Sequence, residues 1–210
     1  MIKAIIFDCW GTLFFREELY STKAIAGILG MEYTDEFRKR FQMAVDTNMN
    51  DYRTNAVKLA LEFRKKPEEN LISEIIKKLD VPKEKIFPFP ETIKVLKELK
   101  QRYKLGLLTN AQFQTFSKLN EKYSINSLFN AVVCSFESKR IKPDKAMFSL
   151  ILDKLNENRD TALMVGNDFK QDVRGAEHFG MMAVLVDRDG RYPEYEKRII
   201  SLVELPRFLV

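Results

Sequence analysis

The hydrophobic pattern changes character along the chain. It opens on an apolar run, Ala4-Ile5-Ile6-Phe7, too short for a helix and rich in strand formers, which predicts a buried strand ending at Asp8. Gly11 and Thr12 then turn the chain out. From Arg16 to about Leu79 the apolar spacing is helical throughout, with no convincing strand. Leu19, Ala24, Ile25, Ile28 and Leu29 form one face closed by Gly30, and Thr34-Asp35 starts a second helix carrying Phe37, Phe41 and Val45. Val57, Leu59, Ala60, Leu61 and Phe63 suggest a third helix ending before Pro67, and Leu71, Ile72, Ile75, Ile76 and Leu79 a fourth. Val81-Pro82 and Phe87-Pro88-Phe89-Pro90 break helix and mark a return to the main body.

Beyond these prolines strands and helices alternate. Helices are expected over Glu91–Arg102, Phe113–Tyr123, Asp144–Leu155 and Asp172–Phe179, the last closed by Gly180. Strands are expected over Leu105–Leu108, Ala131–Cys134, Ala162–Val165 and, last, Met182–Val186. This alternation predicts an α/β fold with a parallel sheet covered by helices on both faces. The expected division is a core of residues 1–15 and 82–210 and a helical insertion of residues 16–81.

Composition narrows the class. The 210 residues, 45% hydrophobic with 16 Phe, suffice for one sizeable core or a core plus a small lobe. No apolar run approaches the roughly 20 residues that span a bilayer, and the amino terminus lacks the features of a signal peptide. Cys9 and Cys134 read as reduced, buried thiols of a cytoplasmic protein. Cys9 follows Asp8, but strand alternation turns it to the opposite face, so it is no nucleophile. The net charge of +5 is spread over helices that interleave Lys and Arg with Asp and Glu, which is a solvated face rather than a nucleic-acid footprint. Heavy use of Lys and Glu fits a heat-adapted source.

Strand ends carry the candidate chemistry, because ligands of open parallel sheets bind there. Asp8 follows the first strand, Thr109-Asn110 the next, and Asn167-Asp168 a later one, with Asp172 just beyond; Lys142 sits at the mouth of the helix starting near Asp144. A carboxylate can attack phosphorus. A hydroxyl and an amide at a strand-to-helix turn can hold phosphate oxygens, a lysine neutralises charge, and carboxylate or carbonyl oxygens can hold magnesium. Singly, each of these residues has a plainer reading as a cap or surface group; their joint placement points to a site.

The ordered set FDCWGTL, LLTN, IKPD and VGNDFKQDVRGA resembles the four motifs of the haloacid dehalogenase (HAD) superfamily, mostly magnesium-dependent phosphatases. The resemblance spans the chain and implies a Rossmann-like α/β core with an all-helical cap inserted after the first motif. It implies that Asp8 is the nucleophile and that Thr109 and Lys142 are catalytic. Thr12, Thr109, Asn110 and Lys142 would bind phosphate, and Mg2+ would be held by Asp8, the Trp10 main-chain carbonyl, Asp172 and one of Asp168 and Asn167, with Asp168 favoured. A small phosphorylated molecule is the expected partner, with no role for nucleic acid or membrane.

Two departures stand out. The fourth motif reads Gly166-Asn167-Asp168 where Gly-Asp is usual. Trp10 occupies the place of a second Asp that acts as general acid and base, a contribution of about 10²- to 10⁴-fold, so turnover of poor leaving groups should suffer. Haloacid dehalogenases also lack that Asp, and Arg38 or Arg40 could hold a halide or carboxylate. However, the resembling dehalogenases carry Tyr where Phe148 stands, and they replace the acids kept here as Asp168 and Asp172. A third reading is a weakened site that binds phosphate or a regulatory partner. His178, the single histidine, is not expected to act. Arg16, Glu17, Arg38, Arg40 and Tyr52 are candidates for substrate selection.

Overall fold

The computed structural model describes residues 1–17 and 21–209. In chain order its strands and helices are β1 (Ala4–Phe7), β2 (Phe14–Arg16), α1 (Thr22–Ile28), α2 (Asp35–Val45), α3 (Tyr52–Glu62), α4 (Glu69–Leu79) and β3 (Ile86–Pro88). Then follow α5 (Thr92–Leu99), β4 (Lys104–Thr109), α6 (Phe113–Tyr123), α7 (Ile125–Leu128), β5 (Ala131–Cys134), α8 (Ser135–Ser138) and α9 (Lys145–Leu155). The chain closes with β6 (Ala162–Gly166), α10 (Gly175–Phe179), β7 (Met182–Val186), β8 (Arg198–Ile199) and a 3-10 segment over Leu202–Phe208.

Six strands form a parallel sheet in the order β5-β4-β1-β6-β7-β8. β1 is central and wholly buried, and strict alternation divides its side chains between two layers. Ile5 and Phe7 pack with Leu96, Leu99 and Leu119 of α5 and α6, whereas Ala4 and Ile6 pack with Met147, Phe148 and Ile151 of α9. Cys9 falls in the first layer, as alternation requires. The chain leaves β1 for β4 and β5 on one side, then crosses to β6 on the other. The topological switch therefore lies at the carboxyl ends of β1, β4 and β6, which is where such sheets hold ligands.

The helices α1 to α4 bury their own apolar cluster, including Ile25, Phe37, Leu59, Phe63 and Ile75. Phe37 and Phe63 stack with centroids 4.5 Å apart. Side-chain caps begin α2 and α3: the Thr34 hydroxyl, at the start the sequence indicates, accepts from the Phe37 N–H at 3.1 Å, and Asp51 accepts from the Thr54 N–H at 2.8 Å.

The structure corrects several expectations. Phe87-Pro88-Phe89-Pro90 is not only a break: β2 and β3 pair antiparallel, Pro88 opposite Phe14, on a two-stranded ribbon where a proline forfeits little. Met182–Val186 is not the last strand, since β8 adds to the sheet edge. The helix expected over Asp172–Phe179 is a wide π-type turn, Phe169–Arg174, running into α10. Leu61 is 59% exposed and belongs to no core. Leu19 lies outside the described residues. Among the described residues no helix is long and apolar enough to cross a membrane.

Phe148 is fully buried and stacks on Phe179 at 5.8 Å. Phe148→Ala should therefore destabilise the protein by about 3–5 kcal/mol in urea unfolding.

Candidate active site

The site is built on one buried ammonium. Lys142, 1% exposed, donates all three Nζ protons: to Asp8 Oδ1 at 2.6 Å, to Asp172 Oδ1 at 2.6 Å and to the Leu108 carbonyl at 2.9 Å. These acceptors belong to β1, to the wide turn after β6 and to β4. The ammonium thus joins the three switch-point strands at their carboxyl ends.

Two carboxylates share one ammonium, leaving a net negative charge in a buried place. Burial pulls the Lys142 ammonium down, but Asp172 and Asp8 outweigh it and hold it above its usual range. Burial, helped by Asp8 and opposed by Lys142, leaves the Asp172 carboxyl raised to about 7.

The second oxygen of Asp8 is less engaged. The Thr12 hydroxyl lies 3.3 Å from Asp8 Oδ2 and 3.3 Å from Asn167 Oδ1, and its single proton can serve only one of them. Gly11 explains how Asn167 comes so near. It has φ +84°, and a Cβ built on it would stand 2.2 Å from the Asn167 amide nitrogen. Gly166 does the same for Asp172, whose Oδ2 lies 2.3 Å from where a Cβ would be.

The structure places the remaining candidates differently from one another. Asp168 is turned away from this cluster. Its Oδ1 accepts from the Lys170 and Gln171 N–H groups at 3.0 and 2.9 Å, capping the wide turn, and its Oδ2 takes Arg38 of α2 at 2.5 Å. Both Asp168 oxygens are thus committed to protein partners, whereas Asn167, the alternative metal contact, faces Thr12. Asn110 works as a clamp: its Oδ1 accepts from the Lys142 N–H at 2.9 Å, and its Nδ2 reaches Gln171 at 3.1 Å. Thr109 is fully buried, and its hydroxyl has only a 3.5 Å contact with the Asn110 carbonyl. Trp10 is partly buried against the core, under the Arg16 guanidinium at 5.4 Å. Arg40 is occupied with Glu62, and Tyr52 lies beside Lys118, 5.5 Å from its ring centroid.

Several residues to which the sequence assigns no role complete the site. Gln171 bonds Gln42 of α2 at 2.8 Å, and Lys170 pairs with Asp35. Together with Arg38–Asp168 these contacts dock the helical unit on the loop after β6. Arg188 donates to the Thr12 carbonyl at 3.0 Å and pairs with Glu91 at 2.9 Å, pinning the turn after β1 from 176 residues away.

The donors around Asp8 are all oxygens, as a hard divalent cation requires. Among the described residues no three acidic, histidine or cysteine side chains converge. The available set is thus two carboxylates with an amide and main-chain oxygens. The unshared oxygens of Asp8 and Asn167, and the net negative charge beside them, fit a cation such as Mg2+.

This combination of a switch-point carboxylate, a buried lysine and a helical insertion agrees with sequence comparison. Residues 2–180 match the haloacid dehalogenase-like hydrolases, and the chain belongs to that family. Glyceraldehyde 3-phosphate phosphatase of Methanothermobacter thermautotrophicus is 35% identical over 104 residues, 49% of this chain and 46% of that protein. The chain thus matches under half the length of that relative. The enzyme of the same name from Methanopyrus kandleri is 28% identical over 210 residues, 94% of this chain and 89% of that protein. The crystal structure of a HAD phosphatase from Thermococcus onnurineus superposes with TM-score 0.66 at 27% identity, covering 99% of this chain and 98% of the other.

Removing one partner of a buried charge cluster strands the others. Lys142→Met should cost about 3–5 kcal/mol in urea unfolding. Adding Asp172→Asn to it should recover part of that loss, a coupling that a double-mutant cycle measures directly.

Proposed function

We propose that this hydrolase is a magnesium-dependent phosphatase acting on a small phosphomonoester through a phosphoryl group carried on Asp8. The observation that carries this reading is the division of labour between the two oxygens of Asp8. Oδ1 is fixed by Lys142, while Oδ2, with only the Thr12 hydroxyl at 3.3 Å, is the oxygen left to attack. The phosphatase names of the relatives at 35% and 28% identity support it.

In this reading Asp8 Oδ2 forms a bond to phosphorus as the ester P–O bond breaks, and water then attacks phosphorus to release phosphate and restore the carboxylate. Lys142 holds Asp8 in line and offsets charge on the transferring group. The turns carrying Thr12, Thr109 and Asn110 would contact phosphate oxygens. Asp8, Asn167 and the Trp10 carbonyl would hold Mg2+, with Asp172 behind them. A bound Mg2+ supplies the positive charge that lets an anionic nucleophile approach an anionic ester. The helical unit, residues 16–81, acts as a cap that excludes water and selects the leaving group. The buried, unpaired thiols of Cys9 and Cys134 support a reducing, cytoplasmic setting.

Trp10 favours one other activity, metal-free dehalogenation of a 2-halo acid, in which the leaving halide needs no proton. Against it, Asp172 remains in the cluster, and Phe148, at the place of the dehalogenase Tyr, is buried in the α9 layer.

With acetyl phosphate and magnesium, the phosphatase reading predicts phosphate release that chelator stops and Asp8→Asn lowers by at least about 10³-fold, since the nucleophile itself is removed. Chloride release from 2-chloropropionate without metal, together with no phosphate release, would establish the dehalogenase instead.

A further inference from the structure

A cavity of about 140 Å³ lies between the helical unit and the turns that follow β1 and β4. Its walls include Trp10, Asn110 and Gln112 from those turns, and Arg16, Gln42 and Asp46 facing them. Trp10 comes two residues after Asp8, and Asn110 immediately after Thr109, so the cavity adjoins the strand ends that carry the chemistry. Its size suits a group of about six non-hydrogen atoms, since benzene fills an apolar cavity of about 150 Å³.

Gln42 and Asn110 on this cavity are hydrogen-bonded, but three other polar side chains on its wall are not so engaged. Asp46 is only 7% exposed, yet among the described residues its carboxylate accepts no hydrogen bond and has no ion pair within 4 Å. The Gln112 side-chain amide nitrogen is buried with no acceptor. The Arg16 guanidinium stacks on Trp10 and makes no hydrogen bond to a described residue. Buried polar groups are almost always paired, so the unbonded Gln112 amide nitrogen is an exception, and it lies beside a cavity on which the Asp46 carboxylate has no partner among the described residues.

Asp46 is also held rigidly. It is the C-terminal cap of α2, with its N–H on the Gln42 carbonyl at 2.8 Å, and its own carbonyl takes the Ser135 hydroxyl at 2.6 Å. Its carboxylate thus projects from a fixed backbone into a space walled by Trp10, the residue standing where the family keeps its proton-transfer Asp. Burial, only partly offset by Arg16, leaves the Asp46 carboxyl raised to about 7. The other charged group on the cavity wall is Lys78 of α4. A carboxyl of this kind can carry a proton at neutral pH and give it up.

We propose that Asp46, reaching across from the helical unit, is the general acid and base of this site in place of the carboxylate that Trp10 displaces. The inference rests on the phosphatase reading. As Asp8 Oδ2 bonds to phosphorus and the P–O bond to the leaving group breaks, the Asp46 carboxylic acid delivers its proton to the leaving oxygen, which departs as a neutral alcohol. The Asp46 carboxylate then takes a proton from the water that attacks phosphorus, the Asp8–phosphorus bond breaks, and the acid form is restored. Gln112 and Arg16 donate hydrogen bonds to the leaving group, which points to small hydroxylated alcohols.

The test compares two leaving groups that both fit the cavity. Acetate leaves acetyl phosphate without a proton; the alcohol of a three- or four-carbon polyol or sugar monophosphate needs one. The parameter is kcat/KM, which ends at loss of the leaving group and so excludes the water step. Asp46→Asn keeps the shape of the side chain and removes a buried charge, so the variant folds. It should lose about 10²- to 10⁴-fold on the best monophosphate of the panel and less than about fivefold on acetyl phosphate. In the unaltered protein, the monophosphate-to-acetyl-phosphate ratio of kcat/KM should fall about tenfold per pH unit above about 7 as the acid form is lost. Equal losses on both substrates, no loss on either, a ratio flat from about pH 6 to 9, or turnover of acetyl phosphate alone would each overturn this role for Asp46 and leave the phosphatase reading standing. An unaltered chain that hydrolyses neither substrate overturns both.

Discussion

A lysine ammonium sealed inside the protein can exist only if every proton it carries is accepted, and Lys142 is the point on which the molecule turns. Its acceptors come from β1, β4 and the turn after β6. The charge is satisfied only when those three segments and the loop before α9 are all in place. Folding and assembly of the site are therefore the same event. Desolvation makes such a cluster a poor source of stability compared with an apolar core. What it secures is orientation: one Asp8 oxygen is fixed, the other is left nearly free, and Asp172 is kept close enough to make the surroundings electronegative.

The sheet sets the stage for that cluster. Alternation along β1 sends Ile5, Phe7 and Cys9 to one layer and Ala4 and Ile6 to the other, so Asp8 continues the row that faces α9. Lys142 sits just ahead of that helix and meets the carboxylate from the same side. The helical unit closes over the strand ends through Arg38–Asp168, Lys170–Asp35 and Gln42–Gln171, all directed at the loop after β6. Asp168 thus serves in docking, and the oxygen facing Thr12 comes from Asn167. An acid displaced by one position in the motif has become a structural contact.

The sequence discloses what is local or periodic. The β1 run, the caps at Thr34 and Asp144, and the helical spacing of α2, α4, α6 and α9 follow from nearest neighbours along the chain, as do the strand-end positions of Asp8, Thr109 and Asn167. Elements that depend on distant partners were not legible. β2 and β3 are three residues each, and their pairing spans the whole helical insertion. β8 has two residues and exists only against β7. At the site, Asp168 and Asn167 are adjacent, and the contact that ties Asp168 to the helical unit comes from Arg38, 130 residues earlier. Asp46 carries no motif at all; its interest lies in the partner it lacks.

The central claim is that the Asp8 carboxylate bonds covalently to phosphorus, and one measurement addresses it most directly. The protein is quenched in acid during turnover of acetyl phosphate, reduced with borohydride, and the peptide containing Asp8 is weighed by mass spectrometry. An acyl phosphate at Asp8 is reduced to homoserine, and the account predicts that conversion at Asp8 and at no other aspartate. Full phosphate release with Asp8 recovered unmodified would contradict it.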